Sequence, residues 1–322
     1  MSRAAAAGVV LALVVVVLGA YTRLKDAGLG CPDWPGCYGY LSVPGAAANV
    51  DTAEARFPHA PFDAHRAWPE MVHRYFAGSL GLLIFAIAGL AIRDRATVPL
   101  KLPLLLAAFV VLQAAFGMWT VTLKLWPQVV TTHLLGGFAT LSLLWLLYLR
   151  LNPPRALPMQ LRSHAVFALV AVIVQVMLGG WTTSNYAALA CPDFPTCQGH
   201  FWPPMDAADG FDVLQDIGPN YLGGLLDNSA RVAIHMGHRI GALVAFVVVG
   251  ALALRVRSSA TGAMLGNVLI ATLLTQIALG ISNVVFTLPL PVATAHNGVG
   301  AVLLLEVIAV NYRSFRSEAP DE

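Results

Sequence analysis

The heptapeptide Cys31-Pro32-Asp33-Trp34-Pro35-Gly36-Cys37 recurs as Cys191-Pro192-Asp193-Phe194-Pro195-Thr196-Cys197, 160 positions later. The likeness extends to both sides. Gly19-Ala20-Tyr21-Thr22 matches Gly179-Gly180-Trp181-Thr182 at the same offset. His73-Arg74 matches His238-Arg239 at 165, and Gln113, Gly117 and His133 match Gln276, Gly280 and His296 at 163. The chain therefore reads as one unit of roughly 160 residues used twice. Each unit brings two histidines on apolar segments and one Cys-x5-Cys loop.

Composition sets the class. The chain is 57% hydrophobic and 11% charged, with a mean hydropathy of +0.70. A soluble domain carries about 25% charged residues. Apolar runs of about 20 residues read as membrane spans. Eight are expected, at about 5–22, 70–92, 102–123, 129–150, 163–184, 230–254, 263–285 and 291–311. The first resembles a signal peptide, but its counterpart at 163–184 is internal, so both read as retained helices. The expected fold is all-α and integral to the membrane. Its eight helices form two tandem four-helix bundles related by a pseudo-two-fold axis along the membrane normal. The units are 1–152 and 153–322, joined at the proline-rich stretch Arg150-Leu-Asn-Pro-Pro-Arg-Ala-Leu-Pro158.

Charge gives the orientation. With the N-terminus in the cytoplasm, the short inner segments hold Arg3, Arg93, Arg95, Lys101, Arg150, Arg155, Arg162, Arg255, Arg257, Arg313 and Arg316. The longer outer segments hold only Arg23, Lys25, Arg56, Arg66, Lys124 and Arg231. Both termini are thus expected in the cytoplasm of a bacterial cell, with the cysteine loops on the outer face of a multi-pass protein. The net charge of +2 conceals a sided distribution that fits a lipid bilayer and no nucleic acid.

All four cysteines fall in the two long outer loops, 23–69 and 185–229, where an oxidising compartment permits disulfides. Four cysteines allow three pairings. The repeat favours Cys31 with Cys37 and Cys191 with Cys197. A structural staple and a redox-active pair both fit this spacing.

His59, His65, His164 and His200 lie in loops or near a helix start and read as solvated or interfacial. His73, His133, His235, His238 and His296 lie on apolar helices, where polar groups are expensive and usually functional. Two histidines from different helices of a bundle make a suitable axial pair for haem iron. His73, His133, His238 and His296 all fall a few residues into the second, fourth, sixth and eighth spans, near the outer surface. Two porphyrins would then sit side by side. A di-haem electron-transfer cytochrome needs ligands at two depths, and no helix here carries histidines about 13 residues apart. His235 and His238 are at i,i+3 and share one depth.

The halves differ at one position. Glu70-Met-Val-His73-Arg74 aligns with His235-Met-Gly-His238-Arg239. Glu70 shares a helix face with His73, and a carboxylate beside a porphyrin ligand can pass protons or position water. The first half therefore reads as the reacting site. A solvated acid favoured by the helix dipole is the plainer alternative. Arg74 and Arg239 are candidates for pairing with haem propionates or for anchoring at the interface.

At these residues the chain resembles the haem A synthase family. The likeness covers nearly the whole chain: eight spans, a tandem repeat, Glu-x-x-His-Arg at Glu70–Arg74, and histidines at the starts of spans 2, 4, 6 and 8. Gly28-Leu-Gly-Cys-Pro-Asp-Trp-Pro-Gly-Cys-Tyr-Gly39 is similar to the cysteine-containing bacterial branch. The resemblance implies oxidation of the methyl group at porphyrin position 8 of haem O to a formyl group, by successive hydroxylations, giving haem A for cytochrome oxidase. It assigns His238 and His296 to a haem b cofactor, His73 and His133 to the substrate haem, and Glu70 to catalysis. It also implies haem O synthase and an electron donor as partners. A membrane haem carrier or chaperone is the second class left open by the residues themselves.

Overall fold

The computed structural model describes residues 1–96 and 100–316; the last six residues of the expected second unit lie outside them. The helices are α1 (Ser2–Leu24), α2 (Val43–Ala47), α3 (Val50–Arg56), α4 (Ala64–Arg93), α5 (Lys101–Thr122), α6 (Pro127–Leu151), α7 (Arg162–Ser184), α8 (Ala207–Gly210), α9 (Asn228–Arg257), α10 (Ala263–Val285) and α11 (Leu290–Phe315). Among the described residues there are no strands, and eight helices are long and apolar enough to cross a membrane. The protein is an all-helical, multi-pass membrane protein. In a bilayer the helix satisfies its own backbone polar groups, which the apolar surroundings cannot do.

The spans fall where the apolar runs predict, with one difference. Helix α4 starts at Ala64, six residues before the expected span. Asp63 caps it, its carboxylate accepting from the His65 N–H at 2.9 Å. The helix thus begins in polar sequence before the apolar run, carrying Glu70 and His73 on one continuous, rigid element.

Helix α1 packs on α4 and α6, and α5 packs on the same two. Helix α7 packs on α9 and α11, and α10 packs on those two. The two sets meet through α1 with α11 and α6 with α7 and α11. Small residues let these helices approach closely: a Cβ on Gly180 would lie 3.3 Å from Thr131, and one on Gly298 would lie 3.1 Å from Val17. Polar contacts tie the seam. Thr131 and Ser184 share a buried hydrogen bond of 2.8 Å, and the Trp145 indole donates to the Leu305 carbonyl at 2.9 Å. Arg23 donates to the Thr183 carbonyl at 2.7 Å and lies over the Tyr186 ring. The segment after α8 crosses from one set to the other, its Gln215 carbonyl accepting from the Trp126 indole at 3.0 Å.

The two cysteine loops share one local construction. The Asp33 carboxylate accepts from the Tyr38 and Gly39 amides, as Asp193 accepts from Gln198 and Gly199. The Cys37 amide donates to the Tyr40 carbonyl at 2.7 Å, as Cys197 does to His200 at 2.8 Å. Disulfides close Cys31 with Cys37 and Cys191 with Cys197. The loops differ at Thr196, which stands opposite Gly36. Its hydroxyl donates to Asp193 and, with the Gly199 and Gln198 amides, holds that carboxyl below the ordinary aspartate range.

Candidate functional site

Four histidines sit on four long helices at the cysteine-loop end. Counted from each helix start, His73, His133, His238 and His296 lie roughly 9–15 Å along their axes at about 1.5 Å per residue. Each faces a glycine on the preceding long helix. A Cβ on Gly19 would lie 3.0 Å from His73 Cε1, and one on Gly117 would lie 3.2 Å from His133 Cε1. The same holds for Gly179 with His238 at 3.2 Å and Gly280 with His296 at 3.1 Å. Any larger residue would push against the imidazole. His73 and His133 stand on α4 and α6, which both pack on α1 and α5, and His238 and His296 stand on α9 and α11, which both pack on α7 and α10.

The rings are half-buried, while Nδ1 of His73, His133 and His296 is sealed from solvent and without a hydrogen-bond partner. Unpartnered buried nitrogens are costly in a finished core. They are suited to a group that completes the site. Among the described residues no cluster of three or more His, Cys, Asp or Glu side chains could hold a bare metal ion. Paired imidazoles on facing helices instead match the two axial positions of a porphyrin iron.

His235 stands apart from the four. It is buried, and its Nδ1 lies 3.0 Å from the Ala187 carbonyl, a structural hydrogen bond to the start of the second loop. His238 faces the glycine cradle and His235 does not. His59, His65 and His200 are exposed, and His164 lies against Arg255. Glu306 lies in α11 well away from the histidines along the helix, where it accepts from Thr272 at 2.8 Å.

Glu70 is 4% exposed. One carboxylate oxygen accepts from the Cys31 amide at 2.8 Å, and the other meets Arg74 Nη2 at 2.5 Å. Arg74 also donates to the carbonyls of Asp33 at 2.9 Å and of Gly36. This charge-assisted network ties helix, acid and disulfide loop into one unit. Gly30 explains how the loop comes so close. A Cβ there would lie 2.3 Å from the Arg66 carbonyl oxygen, so only glycine permits this approach. The equivalent residue in the second loop is Ala190. There Arg239 donates to the carbonyls of Asp193 and Thr196, both at 2.7 Å, and among the described residues it forms no ion pair like that of Arg74 with Glu70. Both arginines donate to loop carbonyls, and Arg74 donates to Glu70 as well.

The repeat marks Gln113 and Gln276 as matched positions but neither Gln175 nor what these glutamines touch. Gln113, Gln175 and Gln276 each precede a cradle glycine by four residues, and so lie one helical turn away. Gln113 Nε2 donates to the His133 carbonyl at 2.6 Å, and Gln175 Nε2 donates to the His238 carbonyl at 3.1 Å. Gln175 Nε2 also lies 3.1 Å from His238 Nδ1, and Gln276 Nε2 lies 3.4 Å from His296 Nε2. The recurring Gln-x3-Gly spacing is the signal that finds them.

Fold and site together define a multi-pass helical membrane protein with two paired-histidine sites and one buried, ion-paired carboxylate at a single site. Similarity to known proteins narrows this class. Residues 3–308 match the cytochrome oxidase assembly protein family, and the chain belongs to it. It is 47% identical over 308 residues to the Heme A synthase of Shewanella oneidensis, covering 94% of this chain and 93% of that protein. It is 31% identical over 340 residues to the Heme A synthase of Methylobacterium radiotolerans, covering 96% and 88%. The Heme A synthase of Caulobacter vibrioides is 28% identical over 332 residues, covering 94% and 92%.

Proposed function

We infer that the chain is a haem A synthase, an oxidoreductase that converts the position-8 methyl of haem O to a formyl group through successive hydroxylations. The likeness to the Shewanella oneidensis protein supports the activity. The observation that carries the site assignment is the asymmetry at one helix position: a buried, ion-paired Glu70 in one half against a carbonyl-bonded His235 in the other.

In this reading the chain is two tandem units, 1–152 and 153–322, related by a pseudo-two-fold axis. His73 and His133 ligate the iron of haem O, the substrate. His238 and His296 ligate a haem b cofactor, which when bound supplies redox chemistry that protein side chains cannot. Glu70 accepts or relays the protons released as methyl C–H bonds are oxidised. The Cys31 amide and Arg74 hold its two oxygens in place, so the acid acts from a fixed position. The disulfide Cys31–Cys37 sets the loop that carries that amide. Arg74 and Arg239 act chiefly as loop clamps, with any propionate contact secondary to this. The termini lie in the cytoplasm and the site faces the outer side of a bacterial membrane. The methyl-to-formyl oxidation requires an oxidant that takes the C–H electrons and supplies oxygen, which is dioxygen when an electron donor is also consumed; that donor and haem O synthase are the partners.

Expression in a host that makes haem O, followed by chromatography of the extracted haems, tests this reading. Appearance of haem A supports it. Unchanged haem O, with haem only relocated, would instead establish a carrier.

A further inference from the structure

Three of the four ligand positions share a side-chain buttress, and the fourth lacks it. The residue one turn before each cradle glycine is Gln113, Gln175 or Gln276, but before Gly19 it is Val15. The three glutamine amides reach the facing histidine or its own carbonyl at 2.6–3.4 Å. Among the described residues His73 meets no side-chain amide; the main-chain carbonyl of Val15 lies beside it, as those of Gln113 and Gln276 lie beside His133 and His296, so the difference is in the side chain alone. The asymmetry also grades the halves. In the second half both glutamine amides lie against the imidazole rings, and turning either amide over would set its unpartnered Oε1 to accept from a ring N–H. In the first half Gln113 touches only the backbone of His133.

Groups that hold a metal-bound imidazole fix its orientation, and their loss typically costs about 10–100-fold in affinity. A cofactor must stay through many turnovers, whereas a substrate must leave once converted. We propose that Gln175 and Gln276 are positioning residues that make the second site retentive, and that Val15 leaves His73 as the exchangeable ligand through which the substrate haem enters and leaves. The proposal rests on the assignment of substrate and cofactor halves given above. It adds the device that makes one site exchange and the other retain.

The test uses the purified full-length protein, loaded with iron protoporphyrin IX at both sites, and an excess of a soluble haem-scavenging apoprotein. Two phases of haem loss are expected, the faster from the first half. His73→Ala should remove the fast phase and His238→Ala the slow one. Gln175→Leu or Gln276→Leu should speed the slow phase about 10–100-fold. Val15→Gln should slow the fast phase by a similar factor and leave the slow phase alone. It should also shift the low-spin spectrum of the first-half haem. Val15→Leu, close in size but without an amide, should do neither. A gain of retention cannot come from general destabilisation. Unchanged fast loss in Val15→Gln, or slow loss unaffected in both glutamine variants, would overturn the proposal while leaving the assignment of halves intact. No His238-dependent haem in the wild-type protein would overturn both.

Discussion

Replacing a cradle glycine by alanine tests the histidine sites with the smallest available change. A Cβ on Gly179 or Gly280 would lie 3.2 or 3.1 Å from the Cε1 of His238 or His296. Carbon atoms prefer about 3.5–4.0 Å, so each imidazole must retreat by roughly 0.3–0.9 Å or tilt. Overpacking of this kind costs about 1–3 kcal/mol. If that strain falls on the ligated state, haem affinity drops about 5- to 140-fold at 1.4 kcal/mol per decade. Gly89, also on a long helix, has nothing within 4 Å of its would-be Cβ. Gly89→Ala therefore controls for the change in helix propensity, worth about 1 kcal/mol in alanine's favour. The assay is the haem-to-protein ratio and low-spin absorbance of each variant in detergent, read during haem titration. Gly179→Ala and Gly280→Ala should need more haem to saturate, and Gly89→Ala should match the wild type. Equal binding by all three would refute the cradle argument, as would an equal loss in Gly89→Ala.

Three further outcomes follow from the same geometry. Arg74→Gln removes the partner of a buried carboxylate, a loss worth about 3–5 kcal/mol, so its thermal midpoint should fall well below that of Arg239→Gln, where no acid is stranded. Equal midpoints would mean that the pair adds nothing. His238→Ala should lose most low-spin haem b and His235→Ala should retain it, because only His238 faces a glycine cradle; the reverse pattern would exchange their roles. Serine at both Cys31 and Cys37 should lower haem A yield more than serine at Cys191 and Cys197, since the Cys31 amide is bonded to Glu70; equal yields from the two double variants would confine both disulfides to a structural role.

Much of the architecture was legible because membrane spans announce themselves by length and hydropathy alone. The duplicated heptapeptide and the pairwise histidines then organised those spans into two sets. The start of α4 was less legible. Its first turns are polar, and the Asp63 cap rather than hydropathy decides where it begins. Glu70 was visible as an asymmetry, but its partners were not. A loop residue 39 positions away supplies the amide that binds it, and a glycine contact with the α4 backbone brings that loop close. Long-range approach of this kind leaves no periodic trace. Gln175 was missed because its counterpart is Val15, so comparison of the two units offered no match. The spacing to the cradle glycine, repeated three times, was the available sign.

The role proposed for Glu70 is the acid–base work of methyl oxidation in the first half. Glu70→Gln tests it most directly, because glutamine keeps the size and the capacity to accept from Cys31 while removing the ionisable group. General acid–base groups contribute about 10²–10⁴-fold. The variant, expressed where haem O is made, should keep its fold and its haem b yet accumulate haem O or a partly oxidised alcohol in place of haem A. Haem A at wild-type levels in that extract would show that the Glu70 carboxylate is not catalytic.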